Sequence, residues 1–186
     1  MTKSEARTQT LQQRNSLTAG DCAFLSQKLM EGFTTLDFSK IKSIHVFLPI
    51  VSKKEPNTFL MIDWLQENHP EIEIFVPKAD FDSGLLSHYH YAGRKDLVNN
   101  PYDIPEPQDA KLTTTIPDMV LVPLLAFDLN GNRAGYGKGF YDRFLQNLST
   151  QKIGLSFFDA VTEINDVHLN DVKLDKCITP KGVIEF

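Results

Sequence analysis

The sequence predicts an α/β fold: a single domain, residues 1–186, with a mostly parallel sheet and helices on both faces, a Rossmann-like three-layer sandwich. Three observations lead there. Short apolar runs at 44–48, 72–76, 119–122 and 153–157 have the length of buried strands. Helical segments separate them, and strands that alternate with helices pair in parallel. At 186 residues and 41% apolar content, the chain suits one hydrophobic core.

Taken in order, Lys3 to Arg14 contains neither Gly nor Pro, and Thr18 is placed to cap a second helix through Met30. Ile44-His45-Val46-Phe47-Leu48 reads as a strand ending at Pro49, and Asn57 as the cap of a helix carrying Leu60, Met61, Trp64 and Leu65. Ile72 to Val76 is a short apolar strand, and the mixed faces of Leu85 to Tyr91 suit a strand at a sheet edge. Asn99 to Pro107 is rich in turn formers and reads as a loop within the domain. Met119 to Val122 is strongly apolar, Pro123 limits further pairing, Asp128 to Gly139 forms a glycine-rich loop, and a helix is expected from about Gly139 to Leu148. Ile153 to Phe157 supplies another strand, and Asn165 to Asp175 is polar and irregular.

With 24 acidic against 19 basic residues, the formal charge of -5 provides no overall positive field for nucleic acid or an anionic membrane, so neither is an expected partner. Any anion must be met locally. Cys22 and Cys177 are isolated and show no metal-like spacing, which fits a reducing, cytoplasmic setting. The N-terminus lacks the apolar stretch of a secretory signal, and the apolar run from Met119 to Phe127 is too short to span a bilayer. A cytoplasmic monomer is the expectation.

The chemistry concentrates in Gly131-Asn132-Arg133-Ala134-Gly135-Tyr136-Gly137-Lys138-Gly139-Phe140-Tyr141-Asp142. Its glycines let a ligand approach the backbone closely, and Arg133 and Lys138 add positive charge. The loop leaves a buried strand and opens a helix, so backbone amides and the helix N-terminus favour an anion there. It is not a P-loop, which needs Gly where Asn132 stands and Ser or Thr where Gly139 stands, nor does it spell G-x-G-x-x-G. On the residues alone it reads as a phosphate-binding segment or as a mobile surface loop with solvated charges.

Val122-Pro123-Leu124-Leu125-Ala126-Phe127-Asp128, followed by Gly131 to Arg143, closely resembles the signature of the 5-formyltetrahydrofolate cyclo-ligase (methenyltetrahydrofolate synthetase) family. The resemblance extends to Lys3-x-x-x-Arg7, Glu55-Pro56-Asn57-Thr58, Ile104-Pro105-Glu106-Pro107 and Asn170 to Asp175. It implies a Mg²⁺-dependent reaction in which ATP drives the cyclisation of 5-formyltetrahydrofolate to 5,10-methenyltetrahydrofolate, with release of ADP and phosphate. The small-molecule partners it implies are therefore ATP and 5-formyltetrahydrofolate.

By that resemblance, Arg133 and Lys138 are the catalytic cations, and the nucleotide is met by Lys3, Arg7, Arg133, Ala134, Gly135, Tyr136, Gly137, Lys138, Gly139, Phe140 and Tyr141. Lys3, Arg7 and Arg14 fall within about 40° on a helical wheel, a basic stripe that is otherwise a solvated face. Glu55 is expected to contact the folate, since a carboxylate accepts hydrogen bonds from pterin amino and ring N–H groups. Tyr136, Gly137, Lys138, Gly139 and Phe140 are expected on the same substrate. Phe140 replaces a Tyr of many relatives and is given a contact role only.

Asp142 and Asp171 match the Mg²⁺ positions, with Asp175 a nearby competitor and helix-terminus stabilisation the plainer role for Asp142. His88 and His90 share a strand face and are assigned no metal. Two other readings stay open: a relative that uses ATP on another small substrate, and a non-catalytic nucleotide- or folate-binding module.

Overall fold

In the computed structural model, which describes residues 1–186, two capped helices open the chain. α1 (Lys3–Ser16) and α2 (Ala19–Phe33) each follow a threonine whose side chain accepts from the third helical amide while an acid bonds back, Thr2 with Glu5 and Thr18 with Asp21. The cap expected at Thr18 is therefore present. β1 (Ser43–His45) follows, then α3 (Phe59–Asn68), β2 (Glu73–Asp80) and β3 (Leu85–His90).

A short ribbon of β4 (Leu97–Asn99) and β5 (Pro105–Pro107) forms within the expected 99–107 loop, and β6 (Leu112–Thr113) comes next. The central strand β7 (Met119–Pro123) leads into a second ribbon of β8 (Ala126–Phe127) and β9 (Arg133–Ala134). α4 (Phe140–Leu145), β10 (Gln151–Leu155) and the hairpin of β11 (Lys176–Thr179) with β12 (Gly182–Glu185) complete the chain.

One sheet runs in the order β12-β11-β10-β7-β1-β2-β3-β6. Its inner pairs, β11 with β10, β10 with β7, β7 with β1 and β1 with β2, are parallel, and antiparallel strands flank them on both sides. Every residue of β7 before Pro123 is buried, as expected of a parallel strand covered on both faces. α2 and α3 cover one face: Leu29, Phe33, Met61, Ile62 and Leu65 join Ile44, Ile74, Met119, Leu121 and Ile153 in the main core. On the other face Val120, Val122 and Cys177 pack with Leu145 of α4 and Leu174. The helical layer there is reduced to α4 together with the 157–175 segment.

Several boundaries differ from expectation for reasons the structure supplies. β1 stops at His45, although the Val46 amide still bonds the Phe75 carbonyl, because Phe47 and Leu48 leave the sheet and line a cleft. α3 starts without a side-chain cap; Asn57 accepts from the Phe59 amide in a local turn instead. α4 ends at Leu145, before Asn147 takes a left-handed φ of 64°. Leu85–His90 is not the edge, since β6 pairs outside it. Cys22 and Cys177 are both free thiols.

At Gly154 an added Cβ would lie 2.6 Å from Leu124 Cδ2 and 2.7 Å from Leu174 Cδ1. Such overpacking of a filled core typically costs about 1–3 kcal/mol. Gly154→Val is accordingly expected to lower the unfolding free energy by an amount of that size, read as a lower urea midpoint at an unchanged denaturant slope.

Candidate active site

β1 is followed by a strand on one side of it, β2, while β7 lies on the other, so the order reverses at the β1–β7 boundary. Ligands in open α/β sheets bind beyond the carboxyl ends of strands at such a point. A cleft of about 470 Å³ lies there, lined by Phe47 and Leu48 after β1, Pro77 and Ala79 of β2 and Pro123 of β7.

The glycine-rich loop crosses this cleft, and buried polar bonds fix its root. Asp128 accepts from the Asn130 and Asn132 amides, the Asn132 side-chain amide and the Ile164 amide. Further along, Gly137 and Gly139 have φ values of 87° and 70°, which side-chain-bearing residues rarely adopt. Arg143 holds the turn from α4, donating to the carbonyls of Lys138 and Gly84, each at 2.8 Å. The positive φ is what favours glycine at 139; a Cβ there would also stand 2.9 Å from Arg143 Nη1, a side-chain end that can shift.

α1 brings its basic stripe to the same loop. Ala6 packs on Ala126 and Ala134, and these small side chains let the helix approach the β8–β9 ribbon closely. The stripe therefore points inward: Arg7 Nε donates to the Gly135 carbonyl at 2.7 Å, and Lys3 and Arg14 are buried. Ala134, expected at the nucleotide, instead belongs to this packing contact and is fully buried.

The cations face carboxylates. Arg133 Nη2 donates to Asp142 Oδ1 at 2.8 Å, and Nη1 donates to the Val172 carbonyl. Burial pushes the Arg133 pKa down, and the Asp142 charge opposes that shift. The Val172 amide returns a 3.1 Å bond to Asp142 Oδ1, which places the chain around residue 171 beside Asp142. Lys3 Nζ pairs with Asp171, and the Lys3 amide bonds Asp166 at 2.7 Å. Burial acts to raise the Asp171 pKa, but the hydrogen bonds from Lys3 and the His168 amide outweigh it, and the net shift is downward.

At the other end Glu55 is 8% exposed; its Oε2 accepts from the Ile50 amide at 2.9 Å and its Oε1 from the Tyr136 hydroxyl at 2.8 Å. Burial raises the Glu55 pKa, while those two bonds and the charges of Arg14 and Lys53 restrain it. Lys53 Nζ stands 4.5 Å over the Tyr136 ring, and Phe47, Leu48 and Ile50 supply an apolar wall. At the rim the Phe140 ring meets Phe81 edge-on at 5.2 Å, and Phe81 lies 4.5 Å from Tyr102. Beneath the loop, Tyr141 Oη lies 3.1 Å from His45 Nε2, and burial pushes His45 down to about 3, with neighbouring His88 adding to the shift.

Of the residues singled out from sequence, Lys3, Arg7, Glu55, Arg133, Gly135, Tyr136, Gly137, Lys138, Gly139, Phe140, Tyr141, Asp142 and Asp171 all line this one cleft. Asp175 does not; it bonds the backbone amide and Nζ of Lys152 at the start of β10. Lys53, Phe81, Glu106, Asp166 and His168 join the lining without having been singled out individually, although Glu106 lies in the quoted Ile104–Pro107 stretch. His88 and His90 pack against Phe75. No group of three or more His, Cys, Asp or Glu side chains is placed to hold a metal. The donor types nevertheless suit Mg²⁺, which commonly takes one or two carboxylates and completes its shell with phosphate oxygens and water; Asp142 and Asp171 are among the carboxylates that line the cleft, with Asp166.

An α/β sheet with a ligand-sized cleft at its switch point, crossed by a glycine-rich loop that carries Arg133 and Lys138, has the architecture of a small-molecule enzyme. Comparison with known proteins makes this specific: residues 1–180 match the profile of the 5-formyltetrahydrofolate cyclo-ligase family. The chain is 33% identical over 153 residues to the 5-formyltetrahydrofolate cyclo-ligase of Escherichia coli (strain K12), covering 74% of this chain and 84% of that one. Among solved structures, the 5,10-methenyltetrahydrofolate synthetase of Aquifex aeolicus superposes with a TM-score of 0.82 at 30% identity, over 100% of this chain and 93% of the other. The Mycoplasma pneumoniae 5,10-methenyltetrahydrofolate synthetase gives 0.70 at 26% identity, over 96% and 98%. The chain therefore belongs to the 5-formyltetrahydrofolate cyclo-ligase family, whose members are ligases. No helix is long and apolar enough to cross a membrane.

The raised Glu55 pKa bears on stability. A carboxyl whose folded-state pKa lies above its unfolded value adds stability at low pH and loses that contribution as pH rises through the folded value. At pH 7 the buried Glu55 charge thus works against folding. Glu55→Gln, which can keep an acceptor for the Ile50 amide, is expected to melt higher than the parent at pH 7 without ligand. The difference should shrink as pH falls into the carboxylate range, and calorimetry across pH measures it.

Proposed function

We propose that this chain catalyses the ATP- and Mg²⁺-dependent cyclisation of 5-formyltetrahydrofolate to 5,10-methenyltetrahydrofolate, releasing ADP and phosphate. One observation carries the reading: a single cleft joins a cation-lined glycine loop, suited to a polyphosphate, to an apolar pocket ending in the buried acceptor Glu55. The two halves fit the two substrates, and we take residues 1–186 as one functional domain and a monomer.

In this reading Lys3, Arg7 and the amides around Gly135, Gly137 and Gly139 hold the triphosphate, while Glu55 accepts hydrogen bonds from the pterin. Ile50, Phe47 and Leu48 pack on the ring system, and Phe140 with Phe81 contacts the substrate nearer the opening. The formyl oxygen then attacks the γ-phosphorus and ADP leaves. N10 adds to the activated formyl carbon and loses its proton, and the C–O bond breaks as phosphate departs with the former formyl oxygen.

Phosphoryl transfer depends chiefly on alignment and charge neutralisation, which is the work assigned to Arg133 and Lys138. Mg²⁺ would be held by Asp142 and Asp171 and would neutralise phosphate charge. Phosphates that engage Lys3 and Arg133 compensate those cations for the aspartates the metal takes.

The test is the ATP-dependent rise of methenyl absorbance in the near ultraviolet with 5-formyltetrahydrofolate and Mg²⁺. Lys138→Ala, at an exposed position, is expected to lower kcat by about 10²–10³-fold, the scale of one lost electrostatic contact to the transition state, with little change in melting temperature. Glu55→Ala is expected chiefly to raise KM for the folate while leaving that for ATP nearly unchanged. A folded parent protein that forms no methenyl product would reject the function, and unchanged kinetics in both variants would reject the site assignments.

A further inference from the structure

Arg14 lies outside the cleft lining and is 1% exposed, yet it is joined to Glu55 by a continuous chain of hydrogen bonds. Its Nη2 donates to the Leu124 carbonyl at 3.0 Å, which anchors the guanidinium to the segment just after β7. Its Nη1 donates to the Tyr136 hydroxyl oxygen at 3.1 Å, and that hydroxyl donates to Glu55 Oε1 at 2.8 Å. No carboxylate pairs with Arg14 directly; Nε has no partner at all, so the hydroxyl is its bridge to a negative charge.

Two physical consequences follow from this geometry. A phenol hydroxyl that accepts from a cation must aim its single proton elsewhere, and here the target is Glu55. The proton thereby fixes one carboxylate oxygen as the Ile50 amide fixes the other, and an acceptor held at both oxygens is oriented before any ligand arrives. The buried positive charge also offsets part of the desolvation that Glu55 suffers. The charged and titratable groups around Glu55 are Arg14 from α1, Lys53 from the turn after β1, Tyr136 from the glycine loop and Tyr141 from α4.

We propose that Arg14 is a positioning residue for folate recognition, acting through the Tyr136 hydroxyl to hold Glu55 as an oriented, ionised acceptor for donor groups of the substrate. The inference rests on the assignment of Glu55 to the folate. It gives α1 two separate duties: Lys3 and Arg7 face the phosphate-binding end, and Arg14, two turns further along, governs the far end.

Arg14→Met keeps much of the side-chain volume and removes the charge and both bonds. Its KM for 5-formyltetrahydrofolate is expected to rise on the order of tenfold at neutral pH, the scale of one lost charge-assisted hydrogen bond, while that for ATP stays within about twofold. The acid limb of the folate KM profile should move to higher pH, because Glu55 protonates more readily once Arg14 is gone. In a Glu55→Gln background the same substitution should add nothing to the folate KM.

A second readout needs no substrate. The stability difference between the parent and its Glu55→Gln variant, followed against pH, reports Glu55 titration in the folded state, and Arg14→Met introduced into both should move that titration upward. If the parent makes no methenyl product, the proposed function fails and this series alone decides the Arg14–Glu55 link. Should Arg14→Met not fold, Tyr136→Phe cuts the same chain while leaving the Leu124 anchor, with the same upward shift expected. An unmoved Glu55 titration, or equal folate and ATP effects that persist with Glu55→Gln, would overturn the proposal.

Discussion

Arg133 holds the floor of the site together. Its guanidinium rises from β9, bonds Asp142 on α4 and reaches the Val172 carbonyl in the long segment before β11, so one side chain fastens three pieces that the Val172 amide, bonded to Asp142, also helps to join. Its side chain is only 6% exposed, so removing Asp142, itself 32% exposed, would leave a buried guanidinium short of its charge partner. The catalytic cation assigned to this position is therefore also a structural one. Lys138, exposed on the loop tip, has no such second duty, which separates the two cations despite their shared charge.

That double role shows how a chain of net charge -5 keeps cations in a cleft that carboxylates also line. Lys3 and Arg133 are buried only because Asp171 and Asp142 pair with them. Arg7 faces backbone carbonyl instead, and Arg14 a phenol. The local field at the loop is thus set by which partners the cations have, and ligands alter it by exchanging those partners. A bound phosphate and a divalent cation would be mutually supporting, since each relieves what the other leaves unpaired.

Much of this is legible in the sequence, and the limits have physical causes. The apolar runs mark the inner strands because a parallel strand buried on both faces has no polar alternation to blur it, as β7 illustrates. β11 and β12 escape such a reading: the Lys-Cys-Ile-Thr and Gly-Val-Ile-Glu segments are short, and they are strands by virtue of their pairing across the sheet. The glycine-rich loop stands out because positive φ and close approach demand glycine itself at 137 and 139. Ala134 joins the expected nucleotide contacts through the resemblance of the loop, but a two-residue strand alternates its sides: Arg133 faces the cleft and Ala134 faces α1. Lys53 and Phe81 leave no signal, since only the fold brings the β1–α3 turn and the β2–β3 turn to the loop.

The basic stripe of α1 shows most clearly how far periodicity reaches. Spacing places Lys3, Arg7 and Arg14 on one face, and a charged face on a helix usually meets water. What turns it inward is Ala6: packed on Ala126 and Ala134, its small side chain lets the helix lie close against the β8–β9 ribbon. The helix then surrenders hydration of its cations and recovers it only in part, for Arg14 Nε remains unpartnered and Glu55 sits at a raised pKa. Sites that work against folding in this way are where function is expected to override local stability. Arg14, Tyr136 and Glu55 are joined in one line of hydrogen bonds that runs from the protein interior to the cleft. A ligand offering hydrogen-bond donors to Glu55 would relieve that strain at its open end, so part of the binding energy is already present in the ligand-free protein as unfavourable burial.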